Sequence, residues 1–235
     1  MSDAPLLEVR RLGVCDYAEA HRIQQEVLEQ RIAGEVQDTL LLCQHPAVIT
    51  AGRGTPAADL PAGDIPVVEV ERGGEATYHG PGQAVAYPIL ALPESRRDLH
   101  RYLRDLEEVV IRVLAEFEVE GGRREGLTGV WIGDHKVASI GVAVRRWVTW
   151  HGLALNVHTD LAAFGGFSPC GLDPTVMTRL ADHAEMPPGT TLVEVLLVKH
   201  LCEVFGFELP PPPPLASPEP SPFPDLPIFP GHGGG

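Results

Sequence analysis

The sequence predicts an α+β domain with a mixed β-sheet, because helices and strands follow one another without strict alternation. Three segments carry apolar residues at helical spacing, and short apolar runs between them are typical of strands. The 235 residues suffice for one large domain or two small ones. We expect residues 1–209 to form one domain and residues 210–235, with eleven of the 23 prolines, to be a disordered tail.

Three helices are predicted, at about residues 17–33, 98–117 and 191–204. Asp16 and Thr191 each stand three residues before a glutamate, which is the pattern of a capping box at a helix start. Gly34 and Gly206 are expected to end the first and third helices, since glycine adopts the left-handed conformation that often terminates a helix.

Strands are predicted where apolar residues are continuous or alternate. They cover residues 39–44, 66–71, 84–90 and 147–157, together with a hairpin over 129–144. The hairpin should turn at Gly133 and Asp134, a pair that suits a two-residue turn.

Composition and charge exclude two classes of function. With 32 acidic and 18 basic side chains the net charge is −14, which argues against binding nucleic acid. No apolar run approaches the ~20 residues of a membrane span, and the first residues lack the apolar core of a secretion signal. We expect a cytoplasmic protein without a membrane partner, and a basic patch that docks acidic partners, formed by Arg53, Arg72, Arg145 and Arg146.

The four cysteines are scattered, without a CxxC pair or a zinc-ligand spacing. In a reducing compartment no disulfides are expected. Cys15, Cys43 and Cys202 lie in apolar surroundings and are predicted to be small buried hydrophobes. Only Cys170, between a proline and a glycine, has an unusual setting.

Cys170 precedes a predicted short helix whose start is marked by Asp173 and Pro174. The field at a helix N-terminus favours a thiolate, and the amides of Gly171 and Leu172 would point at a developing oxyanion. A structural cysteine is one alternative. A zinc site that Cys170 would form with one of the histidines 79, 151 and 158 is another, although the histidines lack ligand spacing.

Two further segments are candidates for chemistry. Residues 71–88 hold four glycines within ten residues, and Arg72, Tyr78, His79 and Gln83 add polar groups. This is not a Walker loop and does not open a helix, so an ordinary glycine-rich loop is the alternative. Lys136 follows the predicted hairpin turn; it is either a solvated strand end or a desolvated amine that exchanges protons.

Four segments in order, "RGGEATYHGPGQAVAYPIL", "GVWIGDHKVASIGVAV", "HGLALNV" and "FSPCGL", resemble the lipoyl(octanoyl) transferases of lipoate biosynthesis. The resemblance covers most of residues 70–172. It implies the catalytic fold of biotin protein ligases and lipoate ligases, a mixed sheet flanked by helices. Residues 1–209 would be the catalytic domain.

The implied reaction moves an octanoyl group from octanoyl-acyl carrier protein to a lysine of a lipoyl domain. The acceptors would be lipoyl domains of 2-oxo acid dehydrogenase complexes and the glycine cleavage H protein. By the same resemblance Cys170 is the acyl-thioester nucleophile and Lys136 its partner, with no cofactor and no metal. The implied substrate-binding residues are Arg72, Gly73, Gly74, Glu75, Ala76, Thr77, Tyr78, His79, Ser139, Ile140, Gly141, Gly152, Leu153 and Ala154.

Three other functions remain open on sequence grounds. An ATP-dependent lipoate ligase of the same superfamily would need no nucleophilic cysteine. A thioesterase would pair Cys170 with His79 or His151 and use water as the acceptor. A non-catalytic acyl-binding module would form no covalent adduct.

Overall fold

The computed structural model describes residues 4–56 and 63–209. The predicted proline-rich tail, 210–235, lies outside the described residues. The helices are α1 (Tyr17–Ala33), α2 (Leu99–Ala115) and α3 (Thr190–Phe205). The strands are β1 (Glu8–Val14), β2 (Thr39–Gln44), β3 (Val48–Ala51), β4 (Val67–Glu69), β5 (Thr77–His79), β6 (Gln83–Ile89), β7 (Gly122–Arg124), β8 (Leu127–Ile132), β9 (His135–Arg145) and β10 (Val148–Asn156).

Seven strands form the main sheet in the order β1-β2-β6-β10-β9-β8-β7. The β1–β2 pair is parallel and the other neighbours are antiparallel, so the sheet is mixed, as predicted. A smaller sheet has the strand order β4-β3-β5. Its β3–β4 pair is parallel and its β3–β5 pair is antiparallel. The central strand β10 is buried along its whole length, and it brings the residues of the "HGLALNV" segment into the middle of the molecule.

One face of the main sheet is covered by α2 and α3. Alternate residues of β2, Leu40 and Leu42, point to this side and pack with Leu106 of α2 and Leu197 of α3. Because all four side chains are at most 1% exposed, this apolar cluster is the main core of the domain.

The opposite face carries α1. The intervening β2 residues, Leu41 and Cys43, belong to a second cluster with Val27 and Leu28 of the helix. A third cluster joins the small sheet to residues 161–177 through Tyr78 and neighbouring apolar side chains. These packed groups fix the chain segments that surround the candidate site described below.

The helix bounds agree with the sequence predictions within two residues, but the predicted capping boxes are wrong. Asp16 makes no side-chain capping bond, and α3 begins at Thr190 after an N-cap at Gly189. The side chain that does cap a helix is Asp98, which accepts hydrogen bonds from two amides in the first turn of α2. Gly34 and Gly206 adopt the predicted left-handed conformation at the helix ends.

The predicted hairpin turn at Gly133 and Asp134 joins β8 to β9 as expected. A second two-residue turn, at Arg146 and Trp147, joins β9 to β10, and both residues have positive φ angles of 50° and 62°. This turn carries no recognisable sequence signal, because such turns usually hold asparagine or glycine. The strand predicted at 66–71 is shortened to β4, and β1, β3, β5 and β7 were not predicted.

No helix in the described part of the chain is both long and apolar enough to cross a membrane. The cysteines of that part are all free. Cys43 and Cys202 are buried as predicted, and burial raises the pKa of Cys202 to about 11. Cys15 is only partly buried, which corrects its prediction as a core residue.

Candidate active site

A cavity of about 310 Å³ lies between β9, β10, the glycine-rich loop before β5 and the segment around Cys170. Eleven of the predicted substrate-binding residues line it, together with Cys170 and Lys136: Arg72, Gly74, Glu75, Thr77, His79, Ser139, Ile140, Gly141, Gly152, Leu153 and Ala154. The three motifs that the sequence places far apart therefore meet around one space. Its volume is at the lower end of the range for small-molecule sites.

Three predicted residues are not among those that line the cavity. The Gly73 amide bonds the Val142 carbonyl, which ties the loop to β9. Ala76 offers its carbonyl to the Cys170 amide at 2.8 Å. Tyr78 packs edge-on against Phe164 in the third apolar cluster. These residues shape the site through the backbone or through packing.

Cys170 lies in a single 3-10 turn, Pro169–Gly171, with φ of 54° and ψ of 33°. Such left-handed geometry is uncommon for a residue with a Cβ, and the bond from its amide to Ala76 helps to hold it. The sulfur lies 3.9 Å from the Ser139 hydroxyl oxygen. Gly171 follows with φ of 70°, and a Cβ there would lie 2.4 Å from a Glu75 carboxylate oxygen, so this backbone conformation favours glycine.

The structure overturns two predicted sources of thiolate and oxyanion stabilisation. Pro174–Val176 is one 3-10 turn capped by Asp173, too short to have a helix dipole. The amides predicted to face an oxyanion are already used within the turn. Gly171 donates to Ser168 and Leu172 donates to Pro169.

Lys136, the second residue of β9, is only 2% exposed, which excludes the solvated alternative. Its carbonyl accepts a hydrogen bond from the Thr178 amide at 2.9 Å. Its side chain passes Gly129, where a Cβ would come within 2.6 Å of the lysine Cε. The Lys136 Nζ atom lies 5.9 Å from the centre of the Trp131 ring, and no carboxylate of residues 4–56 and 63–209 forms an ion pair with it.

Arg72 has a different role from the one predicted. It is 7% exposed, so it is not part of a surface patch with the exposed Arg53, Arg145 and Arg146. Its guanidinium donates to the carbonyls of Gly73 and Glu75 and to the carbonyl and hydroxyl of Thr50. The burial lowers its pKa, and the hydrogen bonds hold the glycine-rich loop in place against β3.

A buried polar network continues from Thr50 through β5 and β6 to β10. His79 contacts the Thr50 hydroxyl at 3.3 Å and the Gln83 side-chain oxygen at 2.8 Å. Gln83 donates to Asn156, and Asn156 donates to the Thr178 carbonyl. The Thr178 amide in turn donates to the Lys136 carbonyl. The glycine-rich loop and Lys136 are therefore held by one connected set of hydrogen bonds.

Two cavity histidines are held neutral. Burial lowers the pKa of His79 to about 3, and electrostatic repulsion from His45 is the second largest cause. Burial also lowers the pKa of His151 to about 3, with the Arg72 guanidinium as the next cause. Within the described residues neither ring forms a hydrogen bond with Cys170, so the alternative cysteine–histidine pair is not assembled.

Sequence reasoning missed several lining residues. Tyr17 at the start of α1, Tyr87 in β6 and residues 126–128 in and before β8 all border the cavity. Tyr17 and Tyr87 sit in segments predicted only as regular elements, which gave no indication of a site. His158, one of the histidines of the zinc alternative, bonds the Pro188 carbonyl and does not line the cavity.

Comparisons with known proteins agree with this arrangement. The model of the lipoyl protein ligase A/B catalytic domain matches residues 16–202. The octanoyltransferase of Syntrophotalea carbinolica is 46% identical over 204 residues, which cover 87% of this chain and 97% of that protein. The octanoyltransferase of Nostoc punctiforme is 47% identical over 204 residues, covering 84% of this chain and 87% of its own length.

Solved structures show the same fold at low identity. A lipoate-protein ligase A bound with ATP superimposes with a TM-score of 0.69 at 16% identity, covering 88% of this chain and 87% of the ligase. The biotin protein ligase of Aquifex aeolicus gives a TM-score of 0.51 at 14% identity, covering 86% of this chain and 69% of that one. The matched domain, the sequence relatives and the shared fold lead to one conclusion: the chain belongs to the octanoyltransferase family, within the lipoyl protein ligase A/B catalytic domains.

Proposed function

We propose that the protein transfers an octanoyl group from octanoyl-acyl carrier protein to a lysine amine of a lipoyl domain, through a thioester on Cys170. The observation that carries the proposal is that Cys170 and Lys136 border the same cavity. They are 34 positions apart in sequence and line one cavity. A thiol and an amine at one site are the groups that acyl exchange between a thioester and an amine requires.

In the first half-reaction the Cys170 thiol gives its proton to the Lys136 side-chain amine. The sulfur attacks the carbonyl carbon of the octanoyl thioester, and the carbon–sulfur bond to the carrier breaks. The leaving carrier thiolate takes the proton back from Lys136. One thioester replaces another, so no nucleotide is consumed.

In the second half-reaction the acceptor lysine amine attacks the Cys170 thioester carbonyl. An amide bond forms, the bond to the Cys170 sulfur breaks, and the proton of the attacking amine passes by way of Lys136 to the cysteine. The Ser139 hydroxyl, 3.9 Å from that sulfur, is placed to donate a hydrogen bond to the sulfur or to the reacting carbonyl oxygen.

The octanoyl chain is proposed to occupy the apolar part of the cavity. Leu127, Ile140 and Leu153 supply apolar lining, and the facing pair Gly141 and Gly152 contributes backbone without side chains. A buried methylene contributes about 0.8 kcal/mol, so an eight-carbon chain gains several kcal/mol from this lining.

A cysteine thioesterase fits the geometry less well. The His79 ring is already engaged by Thr50 and Gln83, so it is not available as a base for Cys170. An ATP-dependent ligase is not favoured either, because such an enzyme needs no cysteine at this position. Cys170 is instead held in a strained turn at the cavity wall.

The acceptors we propose are lipoyl domains of 2-oxo acid dehydrogenase complexes and the glycine cleavage H protein. Of the basic patch predicted for docking acidic partners, Arg53, Arg145 and Arg146 are exposed, and Arg145 pairs with Glu29. Reversing the charges of Arg145 and Arg146 should slow association with the carrier protein and weaken its salt dependence.

Intact-protein mass spectrometry after brief mixing with octanoyl-acyl carrier protein tests the nucleophile. We expect one octanoyl group on the native chain, labile to hydroxylamine, and none on Cys170→Ala. Cys15→Ala is the matched control and should acquire the group normally, because Cys15 does not line the cavity. An octanoyl adduct on Cys170→Ala would place the thioester elsewhere and overturn the assignment.

A further inference from the structure

We propose that His21, Glu71 and His151 form a binding site for a divalent metal ion, with Zn²⁺ the best match, at the rim of the acyl cavity. The residues come from α1, the loop after β4, and β10. The nearest ring nitrogen or carboxylate oxygen of each lies within 4.8 Å of the others. This assignment departs from our expectation of no metal and goes beyond the proposed acyl transfer.

The separations match those of ligands on one ion. The Glu71 Oε2 atom lies 3.0 Å from His21 Nε2 and 3.8 Å from His151 Nε2. Zinc–nitrogen bonds of about 2.0–2.1 Å in tetrahedral geometry place ligand atoms about 3.3 Å apart. The two observed distances lie on either side of this value, and the ligand nitrogens of His21 and His151 lie within 4.8 Å of each other.

The second observation is the His151 ring itself. The side chain is 2% exposed, and its Nε2 atom has no hydrogen-bond partner among the residues that the structure describes, although it lies toward Glu71. A buried polar atom without a partner is costly, and most such atoms in proteins are satisfied by a protein group, a water or an ion. A metal ion between His21, Glu71 and His151 would satisfy this nitrogen.

The surroundings orient the rings and leave the site accessible. The Trp150 ring stacks on His151 at 4.3 Å between centres and contacts His21 at 5.6 Å. Glu71 is 53% exposed, so an ion can reach the site from solvent and keep a water as its fourth ligand.

Two imidazoles and one carboxylate form a ligand set that zinc accepts. Carboxylate-only chemistry would favour Ca²⁺ or Mg²⁺, whereas imidazole nitrogen favours zinc and the later first-row metals. Because His151 also borders the acyl cavity, the bound ion would lie within reach of groups that enter the cavity from this side.

Equilibrium dialysis with Zn²⁺ alone, and visible spectroscopy with Co²⁺ as a probe, test the site in the full chain. We expect binding by nitrogen and oxygen ligands, weakened by about tenfold or more in His21→Gln and in Glu71→Gln. Both positions are at least partly exposed, so these variants should fold, and His151→Asn serves as a third probe. The control His100→Gln removes an exposed histidine of α2 and should bind as the native chain does.

Cys170→Ala separates this site from the nucleophile. Zinc affinity should be unchanged in that variant, and the cobalt spectrum of the native chain should lack a sulfur-to-metal charge-transfer band. Zinc should also raise the Tm of the native chain but not that of Glu71→Gln. Loss of binding in Cys170→Ala, or equal binding by Glu71→Gln and the native chain, would overturn the proposal.

Discussion

The two sides of the main sheet differ in the kind of side chain that they bury. The side covered by α2 and α3 is mainly apolar, with side chains such as Leu106 and Leu114 fully buried and Glu107 as a buried carboxylate. The side that carries α1, the small sheet and the cavity buries Arg72, His79 and Gln83 in hydrogen-bonded networks. The packing of the first side stabilises the fold. The buried polar groups of the second side hold the segments that carry Cys170 and Lys136 in position.

The largest effect is expected at the reacting groups. Lys136→Met keeps the packing of the aliphatic chain but removes the amine, so octanoyl transfer should fall by about 10²–10⁴-fold. The urea midpoint should not fall, because the change replaces a buried polar group by an apolar one of similar length. Steady-state transfer to a lipoyl domain and urea unfolding measure the two properties.

Lys199→Met is the control for this experiment. Lys199 lies on α3 and pairs at the surface with Glu116. Its loss should change neither property by much. Transfer by Lys136→Met at the native rate would remove the lysine from the mechanism.

Substitutions on the side covered by α2 and α3 should lower stability and leave octanoyl transfer unchanged. Leu106→Ala creates a cavity at a fully buried position and should lower the free energy of unfolding by about 2–5 kcal/mol. Transfer measured well below its unfolding transition should stay close to native. On the same helix Leu99 is 41% exposed, and Leu99→Ala should cost less than about 0.5 kcal/mol. Equal costs for the two variants in urea unfolding would contradict the assignment of the main core.

The polar side should make stability depend on pH. His79 and His151 have a pKa of about 3 when folded, against about 6.5 when unfolded. Below pH 6.5 the unfolded chain therefore binds protons that the folded chain does not. Stability should be full above pH 6.5 and fall toward pH 3, by up to about 1.4 kcal/mol per pH unit for each histidine.

Urea unfolding at pH 7, 6 and 5 measures this slope. His79→Gln should give a shallower slope than the native chain, since one of the two titrating rings is gone. An unchanged slope would mean that His79 is not held neutral in the fold.

The smallest effect separates two helix starts. Asp98 accepts bonds from the His100 and Arg101 amides, so Asp98→Ala should cost about 1 kcal/mol. Asp16, the N-cap of α1, makes no such bond, and Asp16→Ala should be close to neutral. Thermal unfolding of the two variants measures the difference, and a larger loss from Asp16→Ala would argue against this description of the caps.

The same contrast explains what could be predicted from the sequence. Apolar periodicity and the positions of glycines predict the regular elements. Gly34 correctly predicts the end of α1, and Gly133 correctly predicts the turn between β8 and β9. The charge of Arg72 is visible in the sequence but its burial is not, because burial depends on β3 and the loop closing over it. The left-handed turn at Cys170 was likewise hidden, since it is held by a tertiary bond to Ala76.

Family resemblance predicted the candidate site residues, and the structure adds how they are held. Cys170 and Lys136 were expected to meet although 34 positions separate them, and they line one cavity. The helix dipole and free amides expected near Cys170 are absent from the described segment, because the turn after it is only three residues long. Local patterns predicted the elements, but not the hydrogen bonds among distant segments.

The measurement that tests the central claim most directly is a chase of the isolated octanoyl-enzyme. The octanoyl-enzyme is freed of carrier protein, mixed with a lipoyl domain, and followed by mass spectrometry over single-turnover times. A Cys170 thioester on the reaction path predicts that the octanoyl mass moves from the enzyme to the acceptor lysine at least as fast as steady-state turnover. An octanoyl-enzyme that persists, while fresh octanoyl-acyl carrier protein still modifies the lipoyl domain, would contradict it.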